Sequence, residues 1–282
     1  MNCYLCNSEK FTKKKGRVRD NSSLEILECD NCGLVFLSDF EHISNDHYEN
    51  SGMHQEKDID ISSWLESCDA DDLRRFNFLK DLILEKVLLD FGCGAGGFLK
   101  QAKSYAKDAY GLELEKRMFP YYKKNHLKVF SSLANLNDIR FDLITAFHVV
   151  EHLKDPISTL KSLSKFLKKG GELIIEVPNS DDALISVYNN RPFQSFTYWS
   201  QHLYLFNTKT MKELINKTGL KLNWIKGVQR YPLSNHLYWL ANGMPGGHEK
   251  WTFLNNEILN KEYEKTLASI NKTDTIIASV SL

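Results

Sequence analysis

The chain has 282 residues, with 36 Lys plus Arg against 36 Asp plus Glu, 42% hydrophobic residues and 26% charged ones. Zero net charge leaves no global field drawing the protein to nucleic acid, and no apolar run reaches the roughly 18 residues of a membrane span. The opening Met1-Asn2-Cys3-Tyr4 has neither the basic start nor the apolar stretch of a signal peptide, so a cytoplasmic protein is expected.

Four of the cysteines form two C-x2-C pairs, Cys3/Cys6 and Cys29/Cys32. Two thiolates two residues apart can grip one ion from a tight turn, and a doubled pair has the spacing of a tetrahedral structural zinc site. Disulfides suit a cytoplasmic chain poorly, and redox chemistry needs only one pair. Between the pairs lie Lys10, Lys13, Lys14, Lys15, Arg17 and Arg19, then Leu24-Glu25-Ile26-Leu27, a basic loop followed by a strand. Residues 1–38 thus have the outline of a zinc ribbon. The loop carries enough cations to meet several phosphates, but Phe11 is its only aromatic, so a solvated loop or the wall of a substrate mouth is expected. Cys68 and Cys93 have no near partners, and Cys93 is read as a small filler.

Residues 39–72 are polar and irregular, a linker or cap in which Tyr48 and His54 are candidates to reach a ligand. Phe76, Leu79, Leu82 and Ile83 follow a helical period over 73–86. An α/β alternation then begins. Strands are predicted at 87–91, 109–112, 128–130, 141–146 and 172–177, with a helix at 98–107. Asp155-Pro156 opens another helix with an N-cap and a first-turn proline, carried by Ile157, Leu160, Leu163 and Leu167 and ended by Gly170-Gly171. A helix over 208–218 is stopped by Gly219. Strands at 220–229 and 275–282 enclose an insertion at about 230–270. The pattern is a mostly parallel sheet with helices on both faces.

Chemistry concentrates at the strand ends. The first strand runs into Asp90-Phe91-Gly92-Cys93-Gly94-Ala95-Gly96-Gly97, where glycines allow positive φ and close ligand approach. The second ends at Glu113, a carboxylate able to accept from a ribose diol. Two ribose-bearing cofactors compete, a nicotinamide dinucleotide and S-adenosylmethionine. The fit to G-x-G-x-x-G is weak evidence for the first, and Asp90 ahead of the turn would repel a pyrophosphate. The charge sense favours the methyl donor.

These segments resemble class I S-adenosylmethionine-dependent methyltransferases over roughly residues 75–282. Asp90 to Gly96 resembles the first motif, Glu113 the ribose acid, and Phe141-Asp142-Leu143-Ile144-Thr145-Ala146-Phe147-His148-Val149-Val150-Glu151-His152 the strand-four motif. Lys168 to Asn179 resembles the entry and exit of strand five. The resemblance implies a Rossmann-like seven-stranded sheet, with Asp90, Phe91, Gly92, Cys93, Gly94, Gly96, Glu113, Leu114, Phe147 and His148 around the cofactor. Gln201 to Asn207 resembles small-molecule methyltransferases. A four-cysteine element ahead of such a domain resembles enzymes acting on nucleotide-linked sugars and other surface-polysaccharide precursors. Sugar C-methyltransferases carry a further long domain, so O- or N-methylation of a small polar acceptor is expected.

An acceptor hydroxyl or amine must lose a proton, and imidazole titrates near neutrality. His202 is the preferred base, with His148 and His152 as alternatives and Tyr198 or Tyr204 as orienting groups. His148-x-x-Glu151-His152 has the H-x-x-E-H form, but it follows a strand and precedes Asp155-Pro156, unlike the long helix of a zinc protease. Arg230 is a candidate for an acceptor phosphate or carboxylate. Methylation of RNA or protein, using the ribbon for substrate binding, is the alternative. No Asn-Pro-Pro-Tyr-like base pocket follows strand four.

Overall fold

Successive strand residues face opposite sides of a sheet, and the apolar runs of this chain use both. The computed structural model describes residues 1–44, 47–49 and 59–282. The candidate His54 lies outside the described residues. The amino-terminal part forms β1 (Phe11–Lys13), β2 (Ile26–Cys29) and β3 (Val35–Leu37), followed by α1 (Ile61–Ile83). The alternation continues as β4 (Val87–Phe91), α2 (Gly97–Ala102), β5 (Asp108–Leu112), α3 (Phe119–Lys124), β6 (Lys128–Phe130), β7 (Phe141–Phe147), α4 (Pro156–Ser164) and β8 (Leu167–Pro178). Short helices α5 (Ala183–Ser186) and α6 (Arg191–Thr197) precede β9 (Tyr204–Leu205), α7 (Thr208–Thr218) and β10 (Lys221–Val228). The insertion folds as α8 (Leu233–Asn242), α9 (Gly247–Lys250) and α10 (Glu257–Ser269) before β11 (Thr275–Ser281).

The main sheet has seven strands in the order β10-β11-β8-β7-β4-β5-β6. Pairings from β6 to β8 are parallel, while β11 inserts antiparallel between β8 and β10. Leu88, Leu143, Ile174 and Ile277 point to one face and pack with Leu79 and Ile83 of α1 and Phe98 of α2. Their neighbours Leu89, Ile144, Ile175 and Ile276 point to the other, beneath Leu160 and Leu163 of α4 and Met211, Leu214 and Ile215 of α7. The same core continues into the amino-terminal module through Leu5, Leu34, Val35 and Phe36.

That module does not complete its own sheet. Its outer strand β3 pairs with β9, Val35 opposite Leu205 and Phe36 opposite Tyr204. Ser200 donates from its backbone and side chain to Asp20 at 3.0 and 2.6 Å, and the Arg19 amide donates to the Tyr198 carbonyl at 2.9 Å.

Three helices differ from the sequence expectation, and the first of these, α2, expected over 98–107, already ends at Ala102. Helix α1 starts at Ile61, capped by Asp60 accepting from the Ser63 amide. Its first half packs Ile61, Trp64 and Leu65 against the small core of Ala95, Tyr122 and Leu127 and turns Ser67, Cys68 and Asp71 to a cavity, so its apolar stripe breaks off after Leu65. Helix α4 has the expected Asp155 cap and Pro156 but ends at Ser164. Leu167 belongs to β8, where it pairs with Phe141, and Gly170 and Gly171 lie in a register shift of that strand. Helix α7 is as expected, with Asn207 and Thr210 forming a reciprocal cap and Gly219 closing it at φ 80°.

Candidate functional site

Strand order reverses between β4 and β7, which opens a crevice at their carboxyl ends. A cavity of about 350 Å³ lies there, lined by Asp90 and Phe91, the turn 92–97, Leu112 to Glu115, and Phe147 to Val149. Gly92 sits at φ +73°, and a Cβ there would lie 2.5 Å from Val149 Cγ2. The Gly92 and Cys93 amides donate to the Leu112 carbonyl at 2.8 and 3.1 Å, tying the turn to β5. Glu113 accepts from the amides of Gly94, Leu114 and Glu115 at 2.9, 2.7 and 3.1 Å, which fixes its carboxylate at the cavity wall.

Five carboxylates line this cavity: Asp71 and Glu115 are held by Arg230 and Arg117, and Asp72, Asp90 and Glu113 complete the set. Burial raises the Asp90 carboxyl to about 7, and the charges of Asp72 and Glu113 add to the rise against a 2.8 Å hydrogen bond from Thr145. Burial likewise raises Asp72 to about 6, against the pull of Arg75. A site that crowds carboxylates at their own electrostatic cost is completed by a cationic ligand carrying a diol. S-adenosylmethionine, with an ammonium, a sulfonium and a ribose, fits that donor set. A pyrophosphate does not.

Beside the cavity is a buried network of charges. Glu176, fully buried on β8, accepts from Arg74 at 2.9 and 3.1 Å and from Arg75 at 2.8 and 2.9 Å. Burial opposes its ionisation, but Arg75, His148 and Arg74 hold the carboxyl well below the usual range. Asp71 accepts from Arg230 Nε at 2.9 Å and is lowered to about 2, the Arg230 charge overcoming burial. His148, at φ +53°, brings Nδ1 within 3.1 Å of Glu151 Oε1 and Nε2 within 3.3 Å of both Glu176 Oε1 and Arg230 Nη1. The adjacent Asp-Asp-Leu-Arg-Arg of 71–75 and the lone acid in Leu173-Ile174-Ile175-Glu176-Val177 were the available sequence signals for this network.

A second cavity of about 650 Å³ adjoins the first, and Ser67, His148, His152 and Arg230 line both. Its walls carry Phe193, Phe196, Trp199 and Trp239 with Arg19, Asp182 and Asp274. The Arg19 guanidinium lies 4.9 Å from the Trp199 ring centroid and 5.4 Å from that of Phe196, so the cysteine module supplies part of this wall. His202 also lines it. Burial, reinforced by the His152 charge, lowers His202 to about 3, and burial lowers His152 as well.

Tyr198 is not brought to either cavity. It is buried against Gly16 and the amino-terminal core, and its raised pKa follows from burial. The expectation that it orients an acceptor is corrected: alternate residues after α6 face opposite ways, and Thr197 and Trp199 take the cavity side. Tyr204 likewise turns into the module, donating to the Lys154 carbonyl at 3.3 Å and packing 5.1 Å from Tyr4. Cys93, buried with its thiol pushed well up by burial, borders the first cavity as a small side chain. Tyr48 reaches the first cavity and donates to the His152 carbonyl at 3.0 Å.

In the module, the Sγ atoms of Cys3, Cys6, Cys29 and Cys32 all lie within 4.8 Å of one another, Cys3 to Cys32 at 3.5 Å and Cys6 to Cys29 at 3.4 Å. The double C-x2-C spacing therefore converges in space. Among the described residues no helix is long and apolar enough to cross a membrane.

The strand order with its antiparallel insertion, and a carboxylate-rich crevice at the reversal, define the class I methyltransferase fold. A family model described as a methyltransferase domain matches residues 64–223. The chain belongs to that family and is an S-adenosylmethionine-dependent methyltransferase. A ubiquinone biosynthesis O-methyltransferase of Aliivibrio fischeri (strain MJ11) is 22% identical over 164 residues, covering 53% of this chain and 70% of that protein. A tRNA U34 carboxymethyltransferase of Helicobacter acinonychis (strain Sheeba) is 32% identical over 136 residues, covering 44% of this chain and 50% of that one. Among solved structures, a methyltransferase of Thermotoga maritima described as a possible histamine N-methyltransferase matches at a TM-score of 0.51 and 19% identity, covering 78% of this chain and 93% of that one, a likeness of fold.

Proposed function

We propose that this enzyme methylates an oxygen or nitrogen of a small polar acceptor held in the second cavity, a sugar or phosphorylated precursor of surface polysaccharide being the class its lining suits. The observation that carries this reading is the junction of the two cavities, lined on both sides by His148, His152 and Arg230. Trp199 and Trp239 offer apolar faces to a sugar ring, and Arg19 offers a guanidinium group to a phosphate or carboxylate, while Arg230 is held by Asp71 and His148 at the junction. When bound, S-adenosylmethionine supplies an electrophilic methyl group on a sulfonium. Asp90, Phe91, Gly92, Cys93, Gly94 and Gly96 would hold its amino-acid portion, Glu113 and Leu114 its ribose, and Phe147 and His148 the side facing the acceptor. The chain's own work is to align the acceptor and exclude water. His148, His152 and His202 are the groups placed to direct the acceptor's proton.

Calorimetry with S-adenosylhomocysteine, run beside NADH, tests the cofactor assignment. Saturable one-site binding of the homocysteine compound alone is expected, with proton release. The sign follows from Asp72 and Asp90: both are raised, the free protein therefore carries protons on them below about pH 7, and the ammonium of the ligand favours the ionised pair. Affinity should rise through pH 6 to 7 and level off above, falling roughly tenfold per unit below 7 where one ionisation is required. NADH binding alone overturns the reading.

We further propose that Cys3, Cys6, Cys29 and Cys32 hold a structural zinc ion. One zinc per chain is expected by elemental analysis, and its ejection with a thiol reagent should release four thiols and unfold the module. Zinc content that is unchanged in Cys29→Ser would overturn this.

RNA methylation is a second reading, favoured by the match to the tRNA-modifying relative. Lys13 and Lys14 of the basic loop are engaged with Glu25 and Glu28 at 2.5 and 2.6 Å, which weakens the loop as a phosphate-binding surface. RNA binding with a steep salt dependence would favour the second reading.

A further inference from the structure

The turn after β7 and the segment before β9 bring Glu151, which the proposed acceptor site does not use, together with His152 and His202. Ligand atoms of Glu151, His152 and His202 all lie within 4.8 Å of one another. Glu151 is fully buried, and its Oε2 has no hydrogen-bond partner. His202 Nδ1 is also buried and without a partner. A buried carboxylate oxygen left bare is costly, and a cation removes that cost.

The surrounding bonds prepare each group to ligate. His152 Nδ1 lies 2.8 Å from the Gln201 carbonyl, which only accepts, so Nδ1 carries the proton and Nε2 keeps its lone pair. His148 Nδ1 engages Glu151 Oε1 at 3.1 Å and leaves Oε2 free. The Leu203 amide donates to the Glu151 carbonyl at 2.8 Å, locking the two chain segments in register. His152 lines both cavities and His202 lines the second, so the open side of the cluster faces the acceptor.

We propose that Glu151 Oε2, His152 Nε2 and His202 form a site for one divalent first-row metal ion at the acceptor cavity. Two imidazoles and one carboxylate with open positions suit Mn²⁺, Fe²⁺, Co²⁺ or Zn²⁺ better than the all-oxygen demands of Mg²⁺ or Ca²⁺. An ion there lowers the pKa of a hydroxyl it contacts, which makes oxygen the acceptor atom. The inference rests on the acceptor reading for its chemistry but not for its test.

The test titrates Mn²⁺ into the zinc-loaded chain, without cofactor or acceptor, and follows the electron paramagnetic resonance signal of free Mn²⁺. Manganese is the probe because it competes poorly for the four thiolates. One Mn²⁺ per chain is expected. The isosteric Glu151→Gln and, separately, His202→Asn should weaken it at least tenfold, while exposed His126→Asn leaves it unchanged. Calorimetry with S-adenosylhomocysteine on the same variants reports folding and the cofactor site independently, so a failure there is separable from loss of metal. If wild type binds no Mn²⁺ and no Co²⁺ or Zn²⁺ beyond the thiolate equivalent, or if both variants bind as wild type does, the site does not exist.

Discussion

Replacing Glu176 by Ala is expected to destabilise the protein by about 3–5 kcal/mol, the cost of breaking a buried ion pair by removing one side. Glu176 is fully buried and accepts from both Arg74 and Arg75. Its loss leaves two guanidinium groups facing each other without the carboxylate between them, with Asp71 and Asp72 as the carboxylates that still pair with them among the described residues. At about 2–4 °C per kcal/mol for a domain of this size, the melting temperature should fall by roughly 6–20 °C. Glu176→Gln keeps the shape and some hydrogen bonds and should cost less. A thermal melt of the three proteins checks the order. Equal stability of Glu176→Ala and wild type would show that the network contributes nothing to folding.

Gly92→Val is expected to abolish cofactor binding while leaving most of the fold intact. The residue lies at φ +73°, and even one added carbon meets Val149 Cγ2 at 2.5 Å. A β-branched residue there carries both a backbone penalty of roughly 1–2 kcal/mol and a clash across the cavity mouth. Affinity for S-adenosylhomocysteine should drop at least about a hundredfold, or some 2.7 kcal/mol. Gly92→Ala paired with Val149→Ala separates the causes, because the pair makes room without changing φ. Partial recovery by the pair assigns the loss to the clash; none assigns it to the backbone. Calorimetry on the single and paired variants decides.

The sequence made some of this visible and hid the rest for physical reasons. The turn 90–97, the acid at Glu113 and the caps of α4 and α7 announce themselves because their causes lie within a few residues: glycines, an Asp-Pro pair, an Asn followed by a Gly. The first half of α1 left only the short trace of Ile61, Trp64 and Leu65, because Ser67, Cys68 and Asp71 then face a cavity, where the apolar stripe has no core to meet. Leu167 fits the period of α4 yet pairs with Phe141, since strand pairing outweighs one more helical contact. Tyr198 and Trp199 are adjacent aromatics with opposite fates, which only the course of the chain after α6 decides. The charge network joins residues 71–75 to Glu176 and Arg230, separations of about a hundred residues or more, and local pattern carries no such information.

The pairing of β3 with β9 also sets a timetable. On the ribosome Cys29 and Cys32 emerge before the strands of the main sheet, so the thiol cluster can close ahead of them. Its outer strand then waits, unpaired on one side, until Tyr204 and Leu205 have been translated. Tyr4 waits too, for the Ile157 amide that donates to its hydroxyl at 2.9 Å. Residues more than 150 positions apart must therefore meet before the acceptor cavity has its wall, and such distant contacts slow folding. An expression fragment that omits the first 38 residues would lack the partner of β9 and the Arg19 side of the cavity. One that stops before residue 204 would leave the nascent module with an open edge, the place where chains find one another instead of themselves.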